Sequence, residues 1–105
     1  MSTSAVKSIW IEHDHWSEVN LHDGNTDVIV TLSDGKKYVA TFFTYKNIGS
    51  LTESNQNTGE CLSGKYFWAS DMILIDQLSR QSIETVISHL IEVNEFTSIF
   101  KECRQ

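Results

Sequence analysis

Two hydrophobic periods divide the chain. Up to about residue 44, apolar side chains alternate with polar ones or gather in short β-branched and aromatic runs, which is the pattern of strands. The run from Val6 to Glu12 predicts a strand over residues 6–12. Asp27-Val-Ile-Val-Thr-Leu-Ser33 and Lys37-Tyr-Val-Ala-Thr-Phe-Phe-Thr44 predict two more, and Ser33-Asp34-Gly35-Lys36 between them is a hairpin signal. Asp-Gly accepts the positive φ that such a turn needs. A second turn signal, His22-Asp23-Gly24-Asn25, predicts a further strand over Ser17–Leu21, pairing with residues 27–33 in a meander.

Residues 45–64 are polar, with Ile48, Leu51 and Leu62 as apolar anchors, and predict a short helix from about Lys46 to Ser54 followed by a loop. Residues 66–75 carry bulk on both alternating faces, as a central strand covered on both sides would. Ser70-Asp71 interrupts that segment. A buried carboxylate costs several kcal/mol unless it is hydrogen-bonded or paired. Asp71 is therefore expected at a bulge or bend, accepting hydrogen bonds from backbone N–H groups or from Tyr66 or Lys65.

The period then changes. Ile83, Val86, Ile87, Leu90 and Ile91 share one helix face, with Ser79 or Ser82 as the N-cap. Val93, Phe96, Phe100 and Cys103 continue the spacing, and Asn94 is an acceptable end for a first of two helices. The resulting expectation is an α+β fold. It consists of an antiparallel β-meander of four to six strands, a short helix in the middle connection, and C-terminal helix or helices packed on one sheet face.

Length adds that the 105 residues form one domain, 1–105, with residues 1–5 as a flexible N-terminal tail. The polar start reads as no signal peptide, and apolar runs fall well short of the ~20 residues needed to cross a bilayer. A cytoplasmic location is expected, in which Cys61 and Cys103 are free thiols. The net charge of −6 makes nucleic acid a poor direct ligand, because gripping phosphate takes clustered Lys and Arg. The charges are also unevenly placed. No Lys or Arg lies between Lys7 and Lys36, where Glu12, Asp14, Glu18, Asp23, Asp27 and Asp34 all fall. Such a stretch either keeps a small protein soluble or attracts a basic partner.

Candidate chemistry is thin. His13-Asp14-His15 places two histidines at i and i+2, on one side of a strand, and His22 and Asp23 could complete a ligand set, but the spacing is not diagnostic and no metal site is expected. Cys61 could act as a nucleophile only if a histidine such as His89 were brought to it, and Glu60 with Asp71 could do acid/base work only if they were close. No glycine pattern for nucleotide phosphates is present. No catalytic residues and no cofactor are expected. Trp16 stands among Asp14, His15 and Glu18, an aromatic with an acidic rim, which is the composition of an interface anchor or of a sheet-edge cap. The other aromatic side chains are expected mostly in the core.

Tyr38-Val-Ala-Thr-Phe-Phe-Thr44 and Gly59-Glu-Cys-Leu-Ser-Gly-Lys-Tyr-Phe-Trp-Ala-Ser-Asp-Met-Ile-Leu-Ile75, with the polar segment between them, resemble small bacterial immunity proteins of toxin–immunity loci, including contact-dependent growth inhibition systems. The resemblance covers about half of the chain and implies a non-catalytic inhibitor that protects its own cell by binding a cognate toxin one-to-one. Many such toxins are nucleases with cationic active sites, which a small acidic protein can block. The expected contact residues are Glu12, Asp14, Trp16, Glu18 and Asp23, with Glu53 and Glu60 in the long connection. The alternatives are a protein-interaction module unrelated to toxins and an enzyme dependent on Cys61 or Asp71.

Overall fold

The computed structural model describes residues 6–103; the expected tail at 1–5 lies outside them. The fold is α+β. Five strands form one sheet: β1 (Val6–Ile11), β2 (Asn25–Leu32), β3 (Lys37–Thr44), β4 (Met72–Ile75) and β5 (Lys101–Cys103). Helices α1 (Tyr45–Thr58), α3 (Arg80–Glu92) and α4 (Phe96–Ile99) join them, and α2 (Glu60–Gly64) is a single left-handed turn, with Cys61 and Leu62 at φ 52° and Ser63 at φ 58°. A short 3-10 helix, Glu12–His15, follows β1.

β1, β2 and β3 form an antiparallel meander, in which β1 takes the place beside β2 that residues 17–21 were expected to fill. At the β2–β3 turn Gly35 has φ 88°, its amide donates to the Leu32 carbonyl at 2.9 Å, and Asp34 Oδ1 accepts from the Lys36 amide at 2.9 Å. The aspartate shapes the turn and the glycine supplies the left-handed step. Beyond β3 the sheet departs from a meander, because β4 runs parallel to β3 along Thr41–Thr44 while β5 runs antiparallel to it along Lys37–Val39. The cause is the connection. α1 carries the chain from β3 back to the level at which β4 begins, as a parallel pair requires.

Three expected elements are corrected by the structure. Residues 17–20 form no strand; the turn at His22–Asn25 instead packs on the start of α1. The middle helix runs from Tyr45 to Thr58 rather than stopping near residue 54. Its extension has a cap, Gly59, whose φ of 84° lets its amide reach the Asn55 carbonyl at 2.9 Å. The 66–75 segment is not a central strand: residues 66–69 are irregular, and only Met72–Ile75 pairs, at the edge of β3. Tyr66 and Trp68 are accordingly exposed rather than core.

The C-terminus breaks into two helices near Asn94 as expected, but the second spans only Phe96–Ile99, and Lys101–Cys103, expected to continue the helical spacing, pairs with β3 as β5. Ser79 Oγ accepts the Ser82 amide at 3.2 Å and starts α3. Asn94, at φ 67°, ends the helix while the Glu95 amide reaches back to the Leu90 carbonyl at 2.9 Å. Ile83, Ile87 and Leu90 of α3, with Phe96 of α4 and Phe100, bury against one face of the sheet. That face carries Ile11, Val28, Val30, Leu32, Tyr38, Ala40, Phe42 and Ile75. Phe96 stacks on Phe100 at 4.5 Å, and each meets a sheet aromatic edge-on, Tyr38 and Phe42 respectively.

Since successive residues of a strand face opposite sides, the register assigns the other face as well. Trp10, Ile29, Val39 and Lys101 form one row across four strands. Asp27, Thr41 and Met72 form the next row, and Phe43 with Leu74 the one after. Phe43 is covered by Phe67, whose ring lies edge-on at 5.4 Å. Trp10 and Leu74 remain exposed.

Candidate functional site

The 3-10 helix and the turn after it hold the expected contact residues nearest one another, and their support is rigid. The His13 amide donates to the buried hydroxyl of Thr26 on β2 at 3.1 Å. The His13 ring lies in the interior with Nε2 at 2.6 Å from the Leu78 carbonyl oxygen. A carbonyl only accepts, so Nε2 carries the hydrogen. Nearby, the Leu78 amide donates to the Leu21 carbonyl at 2.8 Å. The segment before α3 is thus tied to both ends of the 13–21 stretch.

From this base the aromatic residues point outward. The Trp16 amide closes the 3-10 helix on the His13 carbonyl at 3.1 Å, and its indole, 44% exposed, lies 6.3 Å from the His13 ring. His15 turns the other way and stacks on Trp10 at 5.5 Å. Sequence spacing had placed His13 and His15 on one side of a strand; three residues per 3-10 turn separates them instead. Among the described residues no group of three His, Cys, Asp or Glu could hold a metal ion.

The carboxylates differ in what they are free to do. Asp14 forms an ion pair with Arg80 of α3, whose other guanidinium nitrogen donates to Glu84 at 3.1 Å and to the Ile9 carbonyl at 3.3 Å. The hydrogen bond from Arg80 holds the Asp14 carboxyl below the usual carboxylate range, and the same contact raises Arg80 further. Asp23 accepts Asn47 Nδ2 at 3.1 Å and Ser50 Oγ at 3.0 Å, and these two bonds, Asn47's first, lower its pKa also. Glu12 Oε1 accepts the Asp27 amide at 3.3 Å. Glu18, Glu53 and Glu60 extend exposed side chains.

Glu12, Asp14 and Trp16 therefore lie together on one turn, with Glu18 two residues beyond. Asp23 belongs to the α1 junction, and Glu53 sits one turn along α1 from Ser50, to which Asp23 bonds. Glu60 stands past the Gly59 cap, at the start of α2. Arg80 was the residue that sequence reasoning missed. Its distance of 66 positions from Asp14 hides the pairing, and the stretch that lacks basic residues in sequence does not lack one in space.

The residues weighed for other chemistry stand on different elements. Cys61 is half-buried in α2 and His89 is exposed on α3. Asp71 sits at φ 52°, and its backbone carbonyl accepts the Thr41 amide at 3.0 Å. It marks the expected bend, but the backbone does the work there: no hydrogen bond to its carboxylate occurs among the described residues. A shallow cleft of about 320 Å³ between the end of β4 and α3 is lined by Ile75, Asp76, Gln81, Ser82, Thr85 and Val86. Asp76 is its one ionisable lining residue, so it offers no acid/base pair.

No family model matches the chain, and no solved structure matches it. A stretch of 53 residues, 48% of the chain, is 34% identical to part of the mediator of RNA polymerase II transcription subunit 17 of Eremothecium gossypii. The matched stretch spans 8% of that protein's length. No helix of the described residues is long and apolar enough to cross a membrane.

Proposed function

We propose that this protein is a non-catalytic, cytoplasmic immunity protein that binds a cognate bacterial toxin one-to-one, the toxin being a nuclease whose cationic active site it covers with carboxylates. The observation that carries the reading is Trp16: an exposed indole held on a turn that is pinned to β2 and to the segment before α3, beside Glu12 and Glu18, with Asp14 of the same turn paired to Arg80. An anchor already fixed in place loses little freedom on binding, and an acidic rim speeds encounter with a basic cleft. The resemblance of residues 38–44 and 59–75 to immunity proteins supplies the partner class, and the net charge of −6 agrees with it. Glu53 and Glu60 extend the acidic surface on the α1 and α2 side.

The deciding experiment is co-expression with the product of the adjacent upstream gene. Relief of toxicity and a co-purifying complex are expected, and loss of both overturns the reading. At the surface, Glu18→Lys leaves the folded protein intact while slowing association and flattening its salt dependence, and Trp16→Ala speeds dissociation with the salt dependence unchanged. Unchanged rates would move the contact away from this turn. A protein-interaction module unrelated to toxins would give a complex without relief of toxicity.

A further inference from the structure

The face of the sheet away from α3 carries a self-complementary arrangement of charge. Its centre is the cross-strand pair Ile29 and Val39, both half-buried without a layer of helix above them. Asp27 lies two residues before Ile29 on β2, and Lys37 lies two residues before Val39 on β3. Because β2 and β3 run antiparallel, these equal offsets point in opposite directions along the sheet. The acid and the base therefore stand on the same face at equal distances from the centre, one towards each end. Glu12 reinforces the acidic end, where it reaches the Asp27 amide, and the Thr41 hydroxyl donates to the exposed Asp27 carboxylate at 2.7 Å; Lys101 lies in the central row beside Val39, outside both ends.

We propose that two copies of the chain pack these open faces together about a two-fold axis passing over the Ile29–Val39 pair and running roughly across the strands. That operation turns one end of the face onto the other. Lys37 of each copy then lies over Asp27 of its partner, and Ile29 and Val39 close on their own symmetry mates. Such an arrangement is isologous, since one patch supplies both halves of every contact. Sheets that pack face to face do so about 10 Å apart with interleaved side chains, which the row of Trp10, Ile29 and Val39 can supply. The face spans four strands about 4.8 Å apart, a footprint at the small end of stable interfaces, so the dimer is expected to dissociate on dilution. This inference is independent of the toxin reading and concerns the protein alone.

Sedimentation equilibrium over a dilution series tests it. The expected result is a reversible dimer for the wild type and roughly tenfold weaker self-association for either Lys37→Glu or Asp27→Lys, each with the wild-type circular dichroism spectrum, as ~1.4 kcal/mol corresponds to tenfold. Mixing those two variants restores dimers, because every contact in the mixed pair again joins opposite charges. Val39→Glu, at the centre, should be monomeric and serves if a charge variant proves poorly folded. A wild-type monomer at all concentrations overturns the proposal and leaves the face to a different protein. A dimer insensitive to Lys37→Glu and Val39→Glu overturns it as well.

Discussion

Arg80, the first residue of α3, pairs with Asp14 of the 3-10 helix and also donates to the carbonyl of Ile9 on the outer edge of β1. One side chain thus joins the helix layer, the acidic turn and the sheet edge. Both partners are about 40% exposed, at 42% and 39%, so solvent screens the pair and its worth is limited.

Arg80→Ala should lower stability by up to about 1 kcal/mol at neutral pH, measured by urea denaturation. The sign of the pH dependence follows from Asp14. Its folded pKa lies below the ordinary value, so the contribution is complete above that value, about 3.9, and is lost as pH falls through the lowered one. The gap between wild type and Arg80→Ala should close below about pH 4. A gap that persists in acid would show that Arg80 acts through Ile9 rather than Asp14.

Thr44 carries the junction between the sheet and α1. Its buried hydroxyl accepts the Asn47 amide at 3.0 Å as an N-cap and the Gly24 amide at 3.2 Å from the 22–25 turn. Thr44→Val keeps the shape and strands both donors, and should cost about 2 kcal/mol in the same denaturation measurement. Asp23→Ala should weaken the same junction, with an effect confined to pH above the lowered Asp23 pKa.

Asp71 separates a backbone role from a carboxylate role. At φ 52°, Asp71→Gly should match or exceed wild-type stability while Asp71→Ala falls below the glycine variant by about 1 kcal/mol. Thermal melts of the two give the ordering. If both lose the same amount, the carboxylate matters after all.

Gly64 and Gly59 both have positive φ, yet alanine should affect them unequally. A Cβ on Gly64 would lie 2.6 Å from the Thr52 carbonyl oxygen of α1, whereas on Gly59 it would meet nothing within 4 Å. Gly59→Ala should cost about 1 kcal/mol from backbone strain alone. Gly64→Ala should cost ~2 kcal/mol or more, because α2 must move off α1. Equal losses would mean that the close approach is readily relieved.

What the sequence made legible was local. The Asp-Gly hairpin, the serine cap of α3 and the stop at Asn94 each depend on side chains within a few residues of the backbone they shape; the hairpin and the stop stand where the sequence placed them, and of the two serines it offered, Ser79 is the cap. The misplaced elements were decided at long range. Residues 66–69 look like strand because they are bulky, but the edge of β3 is taken by residues 72–75 and 101–103. The 22–25 turn looks like a hairpin until Asp23 finds Asn47 and Ser50. At the candidate site the clustering of Glu12, Asp14 and Trp16 was readable from proximity in sequence. The neutralisation of Asp14 was not, since it depends on how α3 docks. The open sheet face was implicit in the hairpin register, which sets Ile29 opposite Val39, but only the position of the helices shows which face lies bare.

The arrangement of β4 and β5 also bears on aggregation. They lie end to end along the same side of β3 and point in opposite directions. A stray strand arriving at that side would be parallel to one and antiparallel to the other. Each piece is four residues or fewer, and a strand that serves both, as β3 does, must change from an antiparallel to a parallel ladder part-way along. An edge assembled from two short, opposed pieces therefore offers no long template for fibril growth, and the protein obtains that protection from topology rather than from charge or proline.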